Sequence, residues 1–320
     1  MTLGIALLGT GNIAQHAFVP AVQAVDGAHL VAVLSRDKAR GAIFAQQYGL
    51  LEVYDDLGAL LQSPRVDAVI VASPDGMHES QVIAAVQAGK HVLCEKPMTT
   101  TYAGCERMAE TIRASGITFA MGYNNRFSDG LQRIKAMIDE GQIGQVRYAR
   151  AFLTAAAQDP QGWRAHSEQS RYWALSAVGT HVIDLWRWYF GEPASIGGGI
   201  ASPVYQSPND EVSVLVLDYP GRLLAELSVA AVFRAENRLE LYGADGAIIA
   251  DGVLGARQGG SIICKGEAIP YQPTNTFAEE VADFVQAIQQ QREPRTTLVD
   301  GLRNVYIMEA AHEGSLLRPL

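Results

Sequence analysis

Residues 91–97 read HVLCEKP, so Lys96 closes a run otherwise suited to a buried strand, with Glu95 before it and Pro97 after it. A lysine amine can hydrogen-bond a hydroxyl or carbonyl oxygen, and its pKa moves readily with burial and nearby charge. Such a group can take the proton of a secondary alcohol during oxidation and give it back in the reverse direction. Pro97 restricts the backbone and limits where the amine can point. The plain alternative is a surface Lys–Glu pair beside a turn proline, which would do little.

A second constellation lies at the start of the chain. GTGNIA (9–14) follows the apolar run GIALLG (4–9) and precedes a helix-like segment. Gly9 permits a tight turn, and Gly11 lets the backbone approach a pyrophosphate. The N–H groups around Asn12 and Ile13 would then point at phosphate oxygens. An acid at the end of the next strand would hold both ribose hydroxyls, but here Ser35 and Arg36 stand there. An arginine with a hydroxyl neighbour suits a 2′-phosphate, so NADP is the expected cofactor and NAD the second choice. Asp37 is read as the cap of the following helix. SPDGMH (73–78) ends another strand, which puts Ser73, Pro74 and His78 among the candidate cofactor contacts. His78 reads equally well as a structural residue of the helix's first turn.

Elements must bring these residues to one edge. Over the first 120 residues short apolar runs alternate with helix patterns, as expected for strands covered on both faces of a parallel sheet. The spacing predicts helices over 13–25, bent by Pro20, and over 37–49, 77–89 and 101–116. Ligands of such sheets lie at the carboxyl ends of the strands, where the glycine turn, SPDG and CEKP all fall. From about 194 to 271 strand patterns such as EVSVLVLDYP, RLLAELSVAAVF and NRLELYG come without intervening helices. Two helices, near 276–291 and 298–313, close the chain. The fold class read here is α/β: an N-terminal Rossmann doubly wound parallel sheet (1–122), then a C-terminal α/β domain (123–320) with a largely antiparallel or mixed open sheet.

Bulk composition narrows the function. The net charge of −9, from 25 basic and 34 acidic residues, disfavours nucleic acid and anionic membrane as partners. The three cysteines, Cys94, Cys105 and Cys264, lack the spacing of a disulfide framework or zinc site and read as reduced thiols. The start of the chain has no signal-peptide pattern, and no apolar run reaches membrane-spanning length. A soluble, cytoplasmic protein acting on a small molecule is expected.

GTGNIA, SPDGMHESQVIAAVQAGKHVLCEKP and GTHVIDLWRW, in this order and spacing, resemble the glucose–fructose oxidoreductase / inositol dehydrogenase (Gfo/Idh/MocA) family. The resemblance covers essentially the whole chain and is strongest over 1–127. It implies NAD(P)-linked hydride transfer at a carbon bearing a hydroxyl or oxo group in a sugar-like molecule. It implies that Lys96 is the family's active-site lysine, that Glu95 and Pro97 are its motif partners, and that the open sheet makes homodimer or homotetramer contacts. His181 matches the family histidine, but Ala177 stands four residues earlier where an aspartate is usual, so the family's proton-transfer scheme does not carry over whole.

His181 is therefore the second catalytic candidate, with Asp184 one turn on, and Tyr172 a substitute donor. Tyr123, Arg126 and Trp163 complete the candidate substrate contacts, and no metal site is expected. Two other functions stay open on sequence alone. One is an enzyme with tightly bound NAD(P) that uses transient oxidation for elimination or epimerisation. The other is a nucleotide-binding sensor without catalysis.

Overall fold

The structure, a computed structural model, describes residues 2–155, 161–166, 169–255 and 259–314. Internal contacts divide it into two units. The first runs to Asn124 and adds Phe277–Arg303; the second runs from Asn125 to Thr276 and resumes at Asn304.

The first unit is built on β1 (Leu3–Leu8), β2 (Ala28–Leu34), β3 (Glu52–Tyr54), β4 (Ala68–Val71), β5 (His91–Glu95) and β6 (Phe119–Gly122). They form one sheet in the order β3-β2-β1-β4-β5-β6, with every pair parallel. Each residue of β1, β4 and β6 is buried, as strands covered on both faces require. The crossovers are α1 (Val19–Gln23), α2 (Lys38–Tyr48), α3 (Leu57–Leu61), α4 (His78–Gln87) and α5 (Tyr102–Arg113). Asp37 accepts from Arg40 N at 3.0 Å to start α2, and Gly49 ends it in the left-handed conformation.

The helix expected over 13–25 opens instead as a π-turn, Ala14–Phe18, followed by α1. Pro20 lacks the N–H that would bond back into the first turn. The chain there takes the wider spacing, with Val19 N–H donating to Ala14 O.

The second unit holds α6 (Asp129–Asp139), β7 (Val146–Thr154), α7 (Thr180–Phe190), β8 (Ser195–Ala201), β9 (Val212–Tyr219), β10 (Leu223–Ala230), β11 (Arg238–Gly243), β12 (Ala247–Asp251), β13 (Ser261–Cys264) and β14 (Glu267–Ala268). Its sheet has the order β14-β13-β12-β11-β7-β10-β9-β8 and is mixed: β7 and β10 run parallel, the other pairs antiparallel. One face carries Ala149, Ala151, Leu215, Leu217, Leu227 and Leu239 into a core shared with α6 and α7. The opposite face stays open. There Tyr148 stacks on Tyr242 at 6.0 Å beside the exposed Leu224, and Arg150 lies between Glu226 and Glu240, 3.7 Å from each.

The sequence reading placed everything after residue 122 in the second domain. The contacts assign α8 (Thr276–Gln290), from Phe277 on, to the first unit. Val281, Phe284 and Val285 enter the core of Phe18, Val22 and Phe44, and Phe277 meets Phe18 edge-on at 5.5 Å. Beyond α8, Thr296 O accepts from Met121 N and Thr296 Oγ1 donates to Met121 O at 2.6 Å, which covers the β6 edge of the sheet. The last helix, α9 (Leu298–Glu313), begins in the first unit and ends in the second.

Candidate functional site

In the first unit the parallel register puts the chemistry on one edge. Leu8 pairs with Leu34 and Val71, Val71 with Cys94, and Glu95 with Gly122. The residues that follow these strand ends are therefore neighbours. Gly9 has φ +123°, and a Cβ there would lie 2.8 Å from Ala72 O, so only glycine fits. Gly11 differs: a Cβ there would meet nothing within 4 Å, leaving an open cradle over the turn. Asn12 and Ile13 are exposed beside it, and the buried Thr10 hydroxyl has no hydrogen-bond partner among the described residues. An open backbone cradle at a helix start, an orphan hydroxyl and an exposed isoleucine fit a dinucleotide.

At the end of β2, Ser35 is buried and donates its hydroxyl to Asp37 O at 2.8 Å. It shapes the turn and does not offer that hydroxyl to a phosphate. Arg36 is exposed and, among the described residues, makes no hydrogen bond or ion pair, while its neighbour Lys38 is held by Asp55 at 2.9 Å. Ser73 and Pro74 lie partly exposed after β4, with Ser73 Oγ donating to Gln81. His78 is placed differently from the expected cofactor contact. It is 1% exposed, with Nδ1 2.9 Å from Pro97 O and Nε2 3.0 Å from Ser73 O, so both ring nitrogens face protein carbonyls.

Lys96 is 9% exposed, at the carboxyl edge of β5. Its backbone N–H donates to Glu95 Oε2 at 3.1 Å, so the acid turns back on the motif's own backbone. Cys94, one residue inside, is buried, and burial holds its thiol well above the ordinary range, which rules it out as a ready nucleophile.

In the second unit His181 stands in the first turn of α7, partly exposed, after a π-turn over Leu175–Gly179 that contains Ala177. Arg126 and Asp184, both expected to meet substrate, meet each other. Arg126 Nε and Nη2 donate to the two carboxylate oxygens at 2.8 and 2.7 Å, and Asp184 is 1% exposed. Asn304 donates to the same carboxylate and accepts from Arg187, which is also paired with Glu192. The pair ties the 124–127 turn to the helix of His181. Breaking a buried pair of this kind costs ~3–5 kcal/mol, because one charge is left uncompensated.

Two further expectations are corrected. Tyr172 is 1% exposed and packs edge-on against His312 at 5.6 Å. Burial drives its hydroxyl well above the tyrosine range, unsuited to donating a proton at neutral pH. Tyr123, directly after β6, is 0% exposed. Trp163 remains partly exposed in a short turn, with the Arg164 guanidinium 4.1 Å from its ring centroid.

Sequence reasoning missed the run Asn209-Asp210-Glu211, whose members are all buried. Asp210 accepts from Trp173 N at 2.7 Å and Leu175 N at 2.8 Å, and so caps the segment leading to His181. Asn209 donates to Arg164 O and Ser170 O, and Ser207 to Ala165 O. Glu211 gathers Val204 N, Tyr205 N and Ser207 N on its carboxylate. The available signal was an acidic pair set directly before an apolar strand pattern, where solvated charge is out of place.

Comparison with known proteins agrees with this architecture. Residues 3–123 match the model of the GFO_IDH_MocA oxidoreductase family with an NAD-binding Rossmann fold, and residues 131–249 match the GFO/IDH/MocA C-terminal domain. The chain is 28% identical over 304 residues to 1,5-anhydro-D-fructose reductase of Ensifer adhaerens, covering 92% of this chain and 91% of that protein. It is 31% identical over 258 residues to inositol 2-dehydrogenase 2 of Saccharopolyspora erythraea, covering 78% and 73%. Among solved structures, aldose-aldose oxidoreductase of Caulobacter crescentus, complexed with glycerol, superposes with a TM-score of 0.91 at 25% identity, over 98% of both chains.

Asp210 gives a test within the second unit. Burial raises its carboxyl to about 6 from an ordinary 3.8, against the lowering effect of its hydrogen bonds. Its folded form thus holds a proton that the unfolded chain releases. The associated stability is fully present below about pH 4 and is lost as pH rises to about 6. In Asp210→Asn this component is absent. Urea unfolding from pH 4 to 7 is expected to show wild-type stability falling relative to the variant across that window. A constant difference would remove the burial-raised carboxyl.

Proposed function

The chain belongs to the Gfo/Idh/MocA oxidoreductase family, and from that premise we propose a dehydrogenase or reductase, NADP(H)-preferring, for a carbon bearing a hydroxyl or oxo group in a sugar-like small molecule. Support for the substrate class comes from relatives named for an anhydrofructose, inositol and aldoses. One observation carries the chemistry: Lys96 is nearly enclosed at the carboxyl edge where the glycine cradle opens.

A nicotinamide dinucleotide, when bound, accepts or returns two electrons together with a hydrogen. In this reading the protein supplies the rest. Backbone N–H groups of the Gly9–Ile13 turn would hold the pyrophosphate, Arg36 would hold a 2′-phosphate, and Ser73, Pro74 and Glu95 would be the further cofactor contacts. Lys96 Nζ takes the hydroxyl proton when the substrate is oxidised and returns it to the carbonyl oxygen on reduction. His181, in the first turn of α7, is the second unit's own candidate acid–base group, where the family's aspartate is absent at 177.

Self-association through the open sheet face belongs to the same proposal. Tyr148, Tyr242 and Leu224 make an exposed apolar strip there, flanked by paired charges that a second copy would cover. A cytoplasmic location is part of the same proposal, supported by three thiols without disulfides. Among the described residues no helix is long and apolar enough to cross a membrane.

Lys96→Ala is expected to leave NADPH affinity intact and to lower kcat by about 2–4 orders of magnitude. Wild-type turnover of that variant, on sugars or polyols screened at 340 nm, would take the lysine out of the reaction. Arg36→Ala is expected to weaken NADPH binding by ~10–100-fold, as the loss of a charge-assisted contact implies, with a smaller effect on NADH. Equal losses for both would end the 2′-phosphate assignment. In sedimentation velocity, Tyr242→Glu is expected to shift an oligomer toward monomer; a wild-type protein that is already monomeric would refute the interface.

A further inference from the structure

His78 lies in neither the glycine cradle nor the second unit, and its ring is closed off from solvent. Its position is nevertheless specific. It opens α4, with its own N–H donating to Asp75 O, so the ring rises from the first turn of a helix packed on the sheet. From there the ring spans two loops. Nε2 faces Ser73 O, two residues beyond β4, and Nδ1 faces Pro97 O, two residues beyond β5. The paired register of β4 and β5 ends at Val71 and Cys94, so the ring bridges where the ladder stops.

The contact on Pro97 matters because of what precedes it. Lys96 has its N–H held by Glu95 Oε2 on one side, and on the other side the carbonyl of the next residue is held by His78. The short stretch that carries the amine is thus pinned at both ends. A side chain of four methylenes on a loose loop would sample many positions, and a displacement of about 1 Å at a reacting group costs on the order of 100-fold in rate. We propose that His78 is a positioning residue for Lys96, its Nδ1–H holding the Pro97 carbonyl to the first turn of α4 and so fixing the direction in which the lysine leaves the strand. The inference rests on the reading of Lys96 as the acid–base group.

The two nitrogens can be separated by substitution. A neutral imidazole donates from one nitrogen only, and a ring protonated on both satisfies both carbonyls. The amide nitrogen of asparagine replaces Nδ1, and that of glutamine replaces Nε2. His78→Asn therefore keeps a donor for Pro97 O, and His78→Gln keeps one for Ser73 O. His78→Ala removes both.

The experiment compares these three variants with wild type in three measurements. NADPH affinity is read from cofactor fluorescence. Values of kcat and KM are taken with NADP and the best of myo-inositol, D-xylose and D-glucose. The ¹³C resonance of dimethylated Lys96 is assigned by its loss in Lys96→Arg. His78→Asn is expected to hold kcat within ~3-fold. His78→Gln and His78→Ala should lose ~10–100-fold in kcat, with NADPH affinity nearly unchanged and the Lys96 resonance displaced. The clamp is refuted if His78→Gln and His78→Ala keep both wild-type kcat and an unmoved resonance. It is equally refuted if all three variants lose kcat in step with NADPH binding and melting temperature, as a general packing role would give. Should the wild type show no NADP-linked turnover while the resonance still moves in His78→Gln, the clamp stands and the assigned reaction falls.

Discussion

Parallel pairing in the first sheet is the constraint on which the candidate chemistry depends. Because β2, β1, β4, β5 and β6 run the same way in adjacent register, every loop that leaves a carboxyl end emerges on one edge. Gly9, Arg36, Ser73 and Lys96 are separated by tens of residues and become neighbours for this reason alone. The same burial that fixes the register also locates the lysine. Val92, Leu93 and Cys94 are fully enclosed, and a slip of one residue would drive an ammonium into that interior at a cost of several kcal/mol.

The second unit fixes its helix by other means. Its core is apolar, but the start of α7 and the segment before it are set by buried acids, each with three hydrogen-bond donors. Asp184 is satisfied by Arg126 and Asn304, Asp210 by two backbone N–H groups and Ser213, and Glu211 by three backbone N–H groups. Buried charge with both carboxylate oxygens engaged stabilises one geometry, whereas the same charge with a missing partner is among the most costly defects a fold can carry.

Much of this was legible beforehand, and the reasons differ by residue. GTGNIA, the cap at Asp37 and the stop at Gly49 are local, so sequence reports them directly. The parallel sheet followed from uniformly apolar runs between helices. Pairings across long separations were not legible: Arg126 and Asp184 lie 58 residues apart, and each alone looks like a substrate contact. Tyr172 and Tyr123 read as ligand-facing because a polar tip near a motif suggests a site, and His78 read equally well as a contact or a structural residue; the burial of all three is not reported by spacing. Strand β8 was hidden by the glycines of SIGGGIA, which dilute the alternation that marks a strand. The return of Phe277–Arg303 to the first unit was invisible for the same kind of reason, since an amphipathic helix announces a buried face and not the partner that buries it.

The segment around Trp163 is gripped by its main chain. Asn209 and Ser207 take hold of the carbonyls of Arg164, Ser170 and Ala165, and no bond in that grip involves the side chains at 163, 164 or 170. Trp163 and Arg164 can therefore be exchanged for other shapes and charges without removing those main-chain hydrogen bonds.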